Sequence, residues 1–338
     1  MAARKTSSFG LSGWSNFPRH EYRVNGSAGT RAQDVEPVIA RSHSKARSML
    51  VKTCLFSNIF AKQPLEEAMD AASRFGYAGV ELLVGWGANH LEPDMPAARV
   101  KEIRRMADDK GLSVAGIYTN LGGHAHLGVA GPESRAELDT LKVFCEQANV
   151  LGCGVVKVGA GSRNEEHNTE TAFGHAGDWL RRASETVQPY NVRSAVEIHF
   201  RQQVETAEQA LAMATRVAHP NFGIIHDAGN LFIAGCDWGA STVELLGKHI
   251  VHVHIKDVKE SAAAGMFKYR DKQFQGAFLG EGDVDHGPVL GALRRLGYQG
   301  FLSCECMRKD KPWETAEHEA MALGRLLADT RVVRAGEE

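Results

Sequence analysis

Four apolar segments in the second half of the sequence end in side chains that can bind a metal ion. These side chains are Glu197, Asp227, His254 and Glu305. A charged group at the end of an apolar strand is costly unless it is paired or coordinates a metal. Three carboxylates at one level, beside one imidazole, would repel one another without a cation between them. The donor set suits one divalent ion, with Mn²⁺ as first choice and Mg²⁺, Co²⁺ or Zn²⁺ as alternatives.

Each of the four residues also has a purely structural explanation. Asp227 could cap the helix that follows it, and His254 could be a hydrogen-bonded core histidine. The two glutamates could form ion pairs with Lys256 or Arg201. Four such residues on four successive predicted strands favour the metal site over these separate explanations.

Further polar residues lie where they could contact a substrate. His199 and Arg201 share the face of Glu197 by the period of two along a strand. Glu81 is expected to end the second strand and face the pocket mouth, and His124 lies in a glycine-rich loop after the third. Each side chain could instead only brace a neighbouring charge. The substrate-binding candidates at this stage are Glu81, His124, His199, Arg201 and Lys256.

The elements that would position these residues alternate regularly from Met49 onward. Strands are predicted near 51–57, 78–83, 112–118, 154–159, 193–199, 222–227, 250–256 and 300–305. Helices are predicted near 64–75, 96–110, 133–151, 170–188, 204–217, 238–247, 286–296 and 313–328. Eight strand–helix pairs in about 280 residues predict an α/β fold, a (β/α)8 TIM barrel over residues 49–338. The active site of such a barrel lies at the carboxyl ends of its strands.

Residues 1–48 differ from the rest of the sequence. They hold eight Lys and Arg against three Asp and Glu, and no apolar period runs through them. We expect a flexible N-terminal extension rather than part of the barrel. A targeting peptide or a partner-binding arm is the alternative, but Gly10, Gly13 and Pro18 argue against the amphipathic helix that a transit peptide would form.

Composition limits the classes of partner. A formal net charge of −2 and a pI of about 6.7 argue against nucleic acid and against an anionic membrane surface. The sequence has no apolar run of about 18 residues and no secretory signal after the first Met. None of the six cysteines forms a CxxC pair, which favours a reduced, cytoplasmic protein.

Six short sequence motifs occur in order along the predicted barrel. They are FGYAGVEL at 75–82, VEIH at 196–199, HDAGN at 226–230, HVHIKD at 252–257, LGEGD at 279–283 and GYQGF at 297–301. Their order and spacing resemble the xylose isomerase-like TIM-barrel superfamily, the sugar phosphate isomerases and epimerases. The resemblance covers about residues 50–330, nearly the whole predicted barrel.

The resemblance implies that Glu197, Asp227, His254 and Glu305 are metal ligands, and that the two glutamates also act as acid/base groups on opposite faces of the substrate. The chemistry agrees, because a cation that contacts a carbonyl and its neighbouring hydroxyl stabilises an enediolate. A carboxylate on each face can then remove and return a proton. Asn230 stands where several relatives carry a substrate-binding histidine. We expect Asn230 to contact the substrate, whose identity this departure leaves open.

The leading functional interpretation is a metal-dependent isomerase or epimerase of a small-molecule sugar or polyol, in a homo-oligomer. The alternative is a lyase, either a keto-inositol dehydratase or a 3-oxo-glycoside eliminase, since both begin with the same proton abstraction. A catalytic acid near His124 and His126 would favour elimination. A three-zinc DNA-repair endonuclease is disfavoured by Asn230 and by the negative charge. A non-catalytic barrel would have lost a ligand, and no ligand is lost.

A long connection follows the seventh predicted strand. That strand ends near Asp257 and the next helix starts near His286, which leaves about 28 residues where 2–6 are usual. We expect this connection to form a lid over the substrate, with a pliable stretch at 262–265 and a basic, aromatic cluster at 268–272. An exposed loop or a subunit contact is the alternative.

Overall fold

The computed structural model describes residues 51–332, apart from positions 86, 89, 130, 165–167, 263 and 264. The expected extension at 1–48 lies outside this part of the chain. The strands within it are β1 (Lys52–Phe56), β2 (Gly79–Leu83), β3 (Ser113–Tyr118), β4 (Val155–Val158), β5 (Arg193–Glu197), β6 (Phe222–Asp227), β7 (Ile250–Ile255), β8 (Val258–Ser261), β9 (Phe267–Tyr269), β10 (Lys272–Gly276) and β11 (Phe301–Cys304).

Helices surround these strands in the described part of the chain. The α-helices are α1 (Leu65–Arg74), α2 (Ala97–Asp109), α3 (Pro132–Leu151), α4 (Glu170–Val187), α5 (Ala207–Val217), α6 (Ala228–Ala234), α7 (Ala240–Leu246), α8 (Gly287–Leu296) and α9 (Pro312–Val332). Short 3₁₀ helices cover Ser57–Phe60, Ala125–Leu127, Gln188–Tyr190 and Gly247–His249.

Eight of the strands close into one parallel barrel. Their order around it is β1-β11-β7-β6-β5-β4-β3-β2, and β1 pairs with both β11 and β2. Every residue of β2 and of β6 is buried, as expected for parallel strands covered by side chains inside and helices outside. The predicted (β/α)8 TIM barrel is therefore confirmed.

The helices begin and end where the sequence provides the signals. Thr206 caps α5, since its side chain accepts a hydrogen bond from the amide of Gln209, whose own side chain returns the bond. This capping box places the start of α5 at Ala207 instead of at the predicted 204. Gly152 ends α3 and Gly297 ends α8 in the left-handed conformation.

One helix was not predicted from the sequence. Helix α6 has seven residues and begins directly after β6, with the Asp227 side chain accepting a hydrogen bond from the amide of Asn230 at its first turn. Asp227 is thus a helix cap in addition to any role at the site. Gly229 permits this close start, because a Cβ there would lie 2.5 Å from the carbonyl oxygen of Lys256.

The long connection after β7 folds into a small antiparallel sheet, which we call the excursion (residues 258–286). Its strands lie in the order β8-β10-β9. A two-residue turn joins β9 to β10, with Arg270 at φ 52°. Phe274 and Phe267 stack with ring centroids 5.7 Å apart, which gives the sheet an apolar side. The pliable stretch expected at 262–265 includes positions 263 and 264, which lie outside the described residues.

Two further expectations concern disulfide bonds and membrane-spanning helices. All six cysteines are unpaired, as expected for a reduced protein. Among the described helices, none is both long enough and apolar enough to cross a membrane.

Candidate metal centre

The four predicted ligands meet at the carboxyl end of the barrel. Glu197 is the last residue of β5, Asp227 is the last of β6, and Glu305 directly follows β11. His254 lies on β7 opposite Asp227 in the strand register. One ligand atom from each of the four side chains lies within 4.8 Å of the others. Four adjacent parallel strands produce this cluster because their carboxyl ends share one face of the barrel.

This spacing fits one divalent cation. Two oxygens that are each bound at about 2.1–2.4 Å to the same ion can be at most about 4.2–4.8 Å apart. The closest contacts run through the imidazole of His254, whose Nδ1 lies 3.1 Å from Glu197 Oε1 and 3.2 Å from Glu305 Oε2. His254 would therefore bind a cation through Nδ1, with the carboxylate oxygens beside it.

Lys256, which directly follows β7, joins the same cluster. Its Nζ lies 3.0 Å from Asp227 Oδ2 and 3.2 Å from Glu305 Oε2. The neighbouring Asp257 instead accepts the backbone amides of residues 258, 280, 282 and 284 and so ties both ends of the excursion together. Lys256 thus contacts two of the candidate ligands, and its contact with a substrate oxygen stays a prediction.

The electrostatics of the cluster show a surplus of negative charge. Burial raises the pKa of Asp227 to about 7; Lys256 opposes this rise, while Glu197 and Glu305 add to it. Burial also acts to raise the pKa of Glu305, but Lys256 and the hydrogen bond from His254 outweigh burial and lower it to about 2. One ammonium and one imidazole thus do not satisfy three buried carboxylates. A hard divalent cation would satisfy them, so the residues fit the implied metal.

Glu81 does not lie where it was predicted. Strand β2 continues to Leu83, so Glu81 is an interior residue of the strand and is only 1% exposed. Its carboxylate lies 3.2 Å from Nε2 of both His252 and His254 and accepts a hydrogen bond from Ser303 at 2.5 Å. The expectation that Glu81 ends its strand and faces the pocket mouth is wrong. Its contacts orient His254 instead.

Two aromatic rings hold the imidazole of His254 in place. The ring of Phe56 lies 5.5 Å from it, and the ring of Tyr118 stacks on it at 5.7 Å. The hydroxyl of Tyr118 donates a 2.7 Å hydrogen bond to Glu197 Oε2. With Glu81 at Nε2 and these rings on its faces, His254 presents Nδ1 to the cluster.

Asn230 also contacts the ligands. Its Nδ2 donates to Glu197 Oε1 at 3.1 Å and to Asp227 Oδ2 at 2.9 Å. The residue is fully buried in the first turn of α6. Asn230 thus joins two of the candidate ligands, and its contact with substrate stays a prediction. The sequence signal for this was the spacing of three from Asp227, which places an N3 residue over its own cap.

The remaining candidates separate into two groups. His199 and Arg201 line one cavity of about 390 Å³, although β5 ends at Glu197 and the period of two does not extend to them. His124 is not among the residues that line it. The side chain of His124 is 61% exposed and its Nδ1 lies 3.6 Å from Glu137 Oε1.

Two lysines at the site were missed from the sequence. Lys157 on β4 is 3% exposed and lines the same cavity as His199. Lys309, in the connection from β11 to α9, has a pKa that burial lowers and that Glu305 acts to raise. The sequence signal for Lys157 was its place in the apolar run VVKV of a predicted barrel strand. A charged side chain in a buried strand is costly unless a partner or a function compensates for it.

The excursion packs beside this cavity. The ring of Phe200 stacks on Phe267 with centroids 5.5 Å apart. Tyr269 donates a hydrogen bond to Glu205, and Arg270 Nη2 lies 3.4 Å from the same carboxylate. The excursion therefore contacts the β5–α5 connection at the carboxyl face of the barrel, which is the position that the lid expectation requires.

Comparison with known proteins identifies the family of this barrel. A profile described as xylose isomerase-like TIM barrel matches residues 69–326, about three quarters of the chain. The chain belongs to the xylose isomerase-like TIM-barrel family. This confirms the resemblance in the sequence motifs.

Characterised relatives of the chain are metabolic proteins. It is 32% identical over 128 residues to the rhizopine catabolism protein MocC of Rhizobium meliloti, an alignment covering 36% of this chain and 39% of MocC. It is 30% identical over 146 residues to the inosose isomerase of Bacillus subtilis (strain 168), covering 41% and 49%. It is 24% identical over 190 residues to the inosose dehydratase of Glaesserella parasuis serovar 5 (strain SH0165), covering 49% and 63%. The chain thus spans between about two fifths and two thirds of the length of these relatives.

Solved structures match over a larger part of the fold. A structure of L-ribulose 3-epimerase superposes with a TM-score of 0.66 at 20% identity and covers 86% of this chain and all of that one. The probable 3-DHS dehydratase AsbF of Bacillus anthracis gives 0.67 at 18% identity, covering 81% and 99%. At these identities the likeness shows the shared barrel.

Proposed function

We propose that this protein is a divalent-metal-dependent isomerase or epimerase of a sugar or polyol, with Mn²⁺ as the preferred ion. The observation that carries the proposal is the cluster of Glu197, Asp227, His254 and Glu305 within 4.8 Å. The inosose isomerase among the relatives supports this reaction class. Bound there, a divalent cation would stabilise the negative charge that develops when a proton leaves the carbon beside a carbonyl group.

We assign the first proton transfer to Glu305. Its side chain is 16% exposed, whereas that of Glu197 is 1% exposed. The ion-pair contacts of Glu305 with Lys256 and His254 both reach Oε2. Lys256 and His254 thus fix the carboxylate in position, and its partial exposure lets it accept a proton from a substrate.

Glu197 is the proposed second acid/base group. Tyr118 and Asn230 donate to its two oxygens, so its orientation is fixed. Burial acts to raise the pKa of Glu197, but His254 outweighs burial and holds that pKa well below its usual range, so the carboxylate stays ionised. Return of the proton to the opposite face of the planar intermediate would give an epimer. Return to the neighbouring carbon would give an isomer.

The test is exchange of the substrate's carbon-bound hydrogen with solvent deuterium in a panel of ketoses and keto-inositols. We expect exchange with the native protein and its loss in Glu305→Gln and in Glu197→Gln, because the amide keeps the size but cannot act as a base. Metal content must be measured in the same variants. Glu244→Gln is the matched control, since Glu244 lies on α7 and pairs with Arg295. Full exchange in either site variant with its metal retained would contradict the assignment.

A lyase on the same scaffold is the second candidate, supported by the inosose dehydratase among the relatives. It needs a group that assists the leaving oxygen. His124, expected to provide this acid, is exposed and faces Glu137, whereas His199 lines the cavity. The two reactions are separated by mass spectrometry, because a dehydratase product is lighter by one water and an isomerase or epimerase product is not.

A further inference from the structure

The described residues that line the cavity beside the proposed metal centre carry a net positive charge. Its volume is about 390 Å³, and two cations, Lys157 and Arg201, are among its lining residues. Neutral hydrogen-bonding groups complete the polar part of the lining: Asn120, Ser162, His199 and Gln202. None of the described residues that line it is an Asp or a Glu.

The ammonium group of Lys157 has few partners for a buried charge. The residue is 3% exposed. Its Nζ donates to the carbonyl oxygen of Thr119 at 3.2 Å and lies 4.2 Å above the ring of Tyr118. In the described part of the chain no carboxylate forms an ion pair with it, and Glu197 and Glu305 act on it only at longer range. An ammonium has three donors, so this arrangement leaves capacity for an acceptor that a ligand brings.

The guanidinium of Arg201 is held over the same cavity. Arg201 has φ 66°, a left-handed conformation that is unfavourable for a residue with a side chain. The guanidinium lies over the rings of Phe200 and Tyr269, and Nη2 donates to the carbonyl oxygen of Lys268.

The nearest carboxylate does not neutralise Arg201. The hydrogen bond from Arg201 to Glu205 comes from the backbone amide of Arg201. The Glu205 carboxylate forms its ion pairs with Arg163 at 3.2 Å and with Arg270 at 3.4 Å. The guanidinium of Arg201 forms no ion pair with any carboxylate of the described residues. Among the described residues, two cations therefore line one cavity that no carboxylate lines.

We propose that this cavity binds an anionic oxygen group of the substrate, either a carboxylate or a phosphate. The proposal rests on the proposed function, because it names the class of sugar or polyol that the metal centre would act on. A neutral sugar would offer hydroxyl acceptors to Lys157 and Arg201 but would not compensate their charge. A carboxylate or phosphate does both, with short charge-assisted hydrogen bonds. The substrate class is thus a sugar acid or a sugar phosphate.

The test compares three polyols that share one carbon chain: glucitol, gluconate and glucitol 6-phosphate. Their binding to the Mn²⁺-loaded protein is measured by isothermal titration calorimetry, which does not require turnover. We expect gluconate or glucitol 6-phosphate to bind at least 10-fold more tightly than glucitol, and the better of the two identifies the group. Lys157→Gln and Arg201→Gln should each weaken that binding by about 10- to 100-fold.

Two variants keep the result interpretable. Lys272→Gln is the matched control, because Lys272 lies on the excursion that packs beside the cavity, but it pairs with Glu260 and does not line the cavity. This variant should leave anion binding unchanged. Arg201 is exposed, so Arg201→Gln provides the test if the buried Lys157 variant does not fold. Equal binding of the three polyols, no binding of either anion, or anion binding that both variants retain would overturn the proposal.

This outcome is separable from that of the proposed reaction. Tight, Arg201-dependent anion binding without deuterium exchange on any sugar would support the anion site and contradict the proposed isomerase activity. Exchange on neutral sugars together with equal binding of the three polyols would remove the anion site and leave the isomerase.

Discussion

Replacing Glu81 by glutamine tests whether a buried carboxylate controls the metal ligand above it. Glu81 contacts Nε2 of His254 and of His252 at 3.2 Å, and it accepts a hydrogen bond from Ser303. Glutamine keeps the size of the side chain but removes its charge, and the amide nitrogen cannot accept a hydrogen bond from an imidazole N–H. The orientation and basicity of His254 should both suffer, although Glu81 itself is not a ligand.

The expected loss follows from the usual effect of a partner that orients a metal-binding histidine. Such partners contribute about 10- to 100-fold in metal affinity, equivalent to about 1.4–2.7 kcal/mol. The assay is competition for Mn²⁺ against a chelator of known affinity, with stability followed by urea unfolding. We expect the unfolding free energy of the metal-free variant to fall by about 1–3 kcal/mol, because a buried charged hydrogen-bond network is broken.

The matched control is Glu319→Gln. Glu319 is also 1% exposed, but it lies on α9 and accepts the amide of Leu279. It should leave Mn²⁺ affinity unchanged. An affinity for Mn²⁺ in Glu81→Gln within about twofold of the native value would refute the reasoning, since a loss of at least tenfold is expected.

Three further perturbations test the structure away from the ligands. Burial raises the pKa of Glu319 to about 7 from 4.5, so the folded protein binds this proton more tightly than the unfolded chain does. The unfolding free energy should therefore fall by up to about 3 kcal/mol as pH rises from 4.5 through 7, and it should level off above pH 7. Urea titration at each pH measures this dependence, and Glu319→Gln should abolish this part of it. Asp257→Asn should lower the unfolding free energy by about 2–4 kcal/mol, because one carboxylate accepts four backbone amides; an unchanged midpoint would show that the excursion does not depend on it. Deletion of residues 1–48 should leave the melting temperature and turnover nearly unchanged, and a drop of several degrees in calorimetry would show that this segment packs on a folded surface.

The meeting of the four candidate ligands at one face could be predicted because parallel strands impose a simple rule. Strands of one barrel all end at the same face, so Glu197, Asp227 and Glu305 had to meet if each ended its strand. The observed strands end at these residues or one residue before. The (β/α)8 order followed from the same alternation of elements, without knowledge of any side-chain contact.

The partners of the candidate ligands could not be predicted, because they depend on contacts between strands that the sequence does not show. Glu81 was expected at the mouth, but β2 runs two residues further, and the Glu81 carboxylate lies against Nε2 of His252 and His254. Asn230 donates to Glu197 and Asp227 because the unpredicted helix α6 begins directly after β6. These contacts link residues on different strands and helices, and spacing along one segment does not reveal them.

The excursion illustrates a second limit of the sequence. Its length indicated a functional element, and its position at the carboxyl face agrees with that expectation. Its antiparallel strands were not predicted, because β9 has three residues and the period-2 signal in so short a segment is weak. Packing of Phe267 on Phe200, a contact between segments far apart in sequence, stabilises the sheet.

The most direct test of the central claim is a crystal structure of the protein grown with Mn²⁺, with anomalous diffraction used to locate the metal. We predict one anomalous peak per chain, at about 2.0–2.6 Å from oxygens of Glu197, Asp227 and Glu305 and from Nδ1 of His254. The absence of a peak at this cluster under saturating Mn²⁺, or a peak coordinated by other residues, would contradict the account.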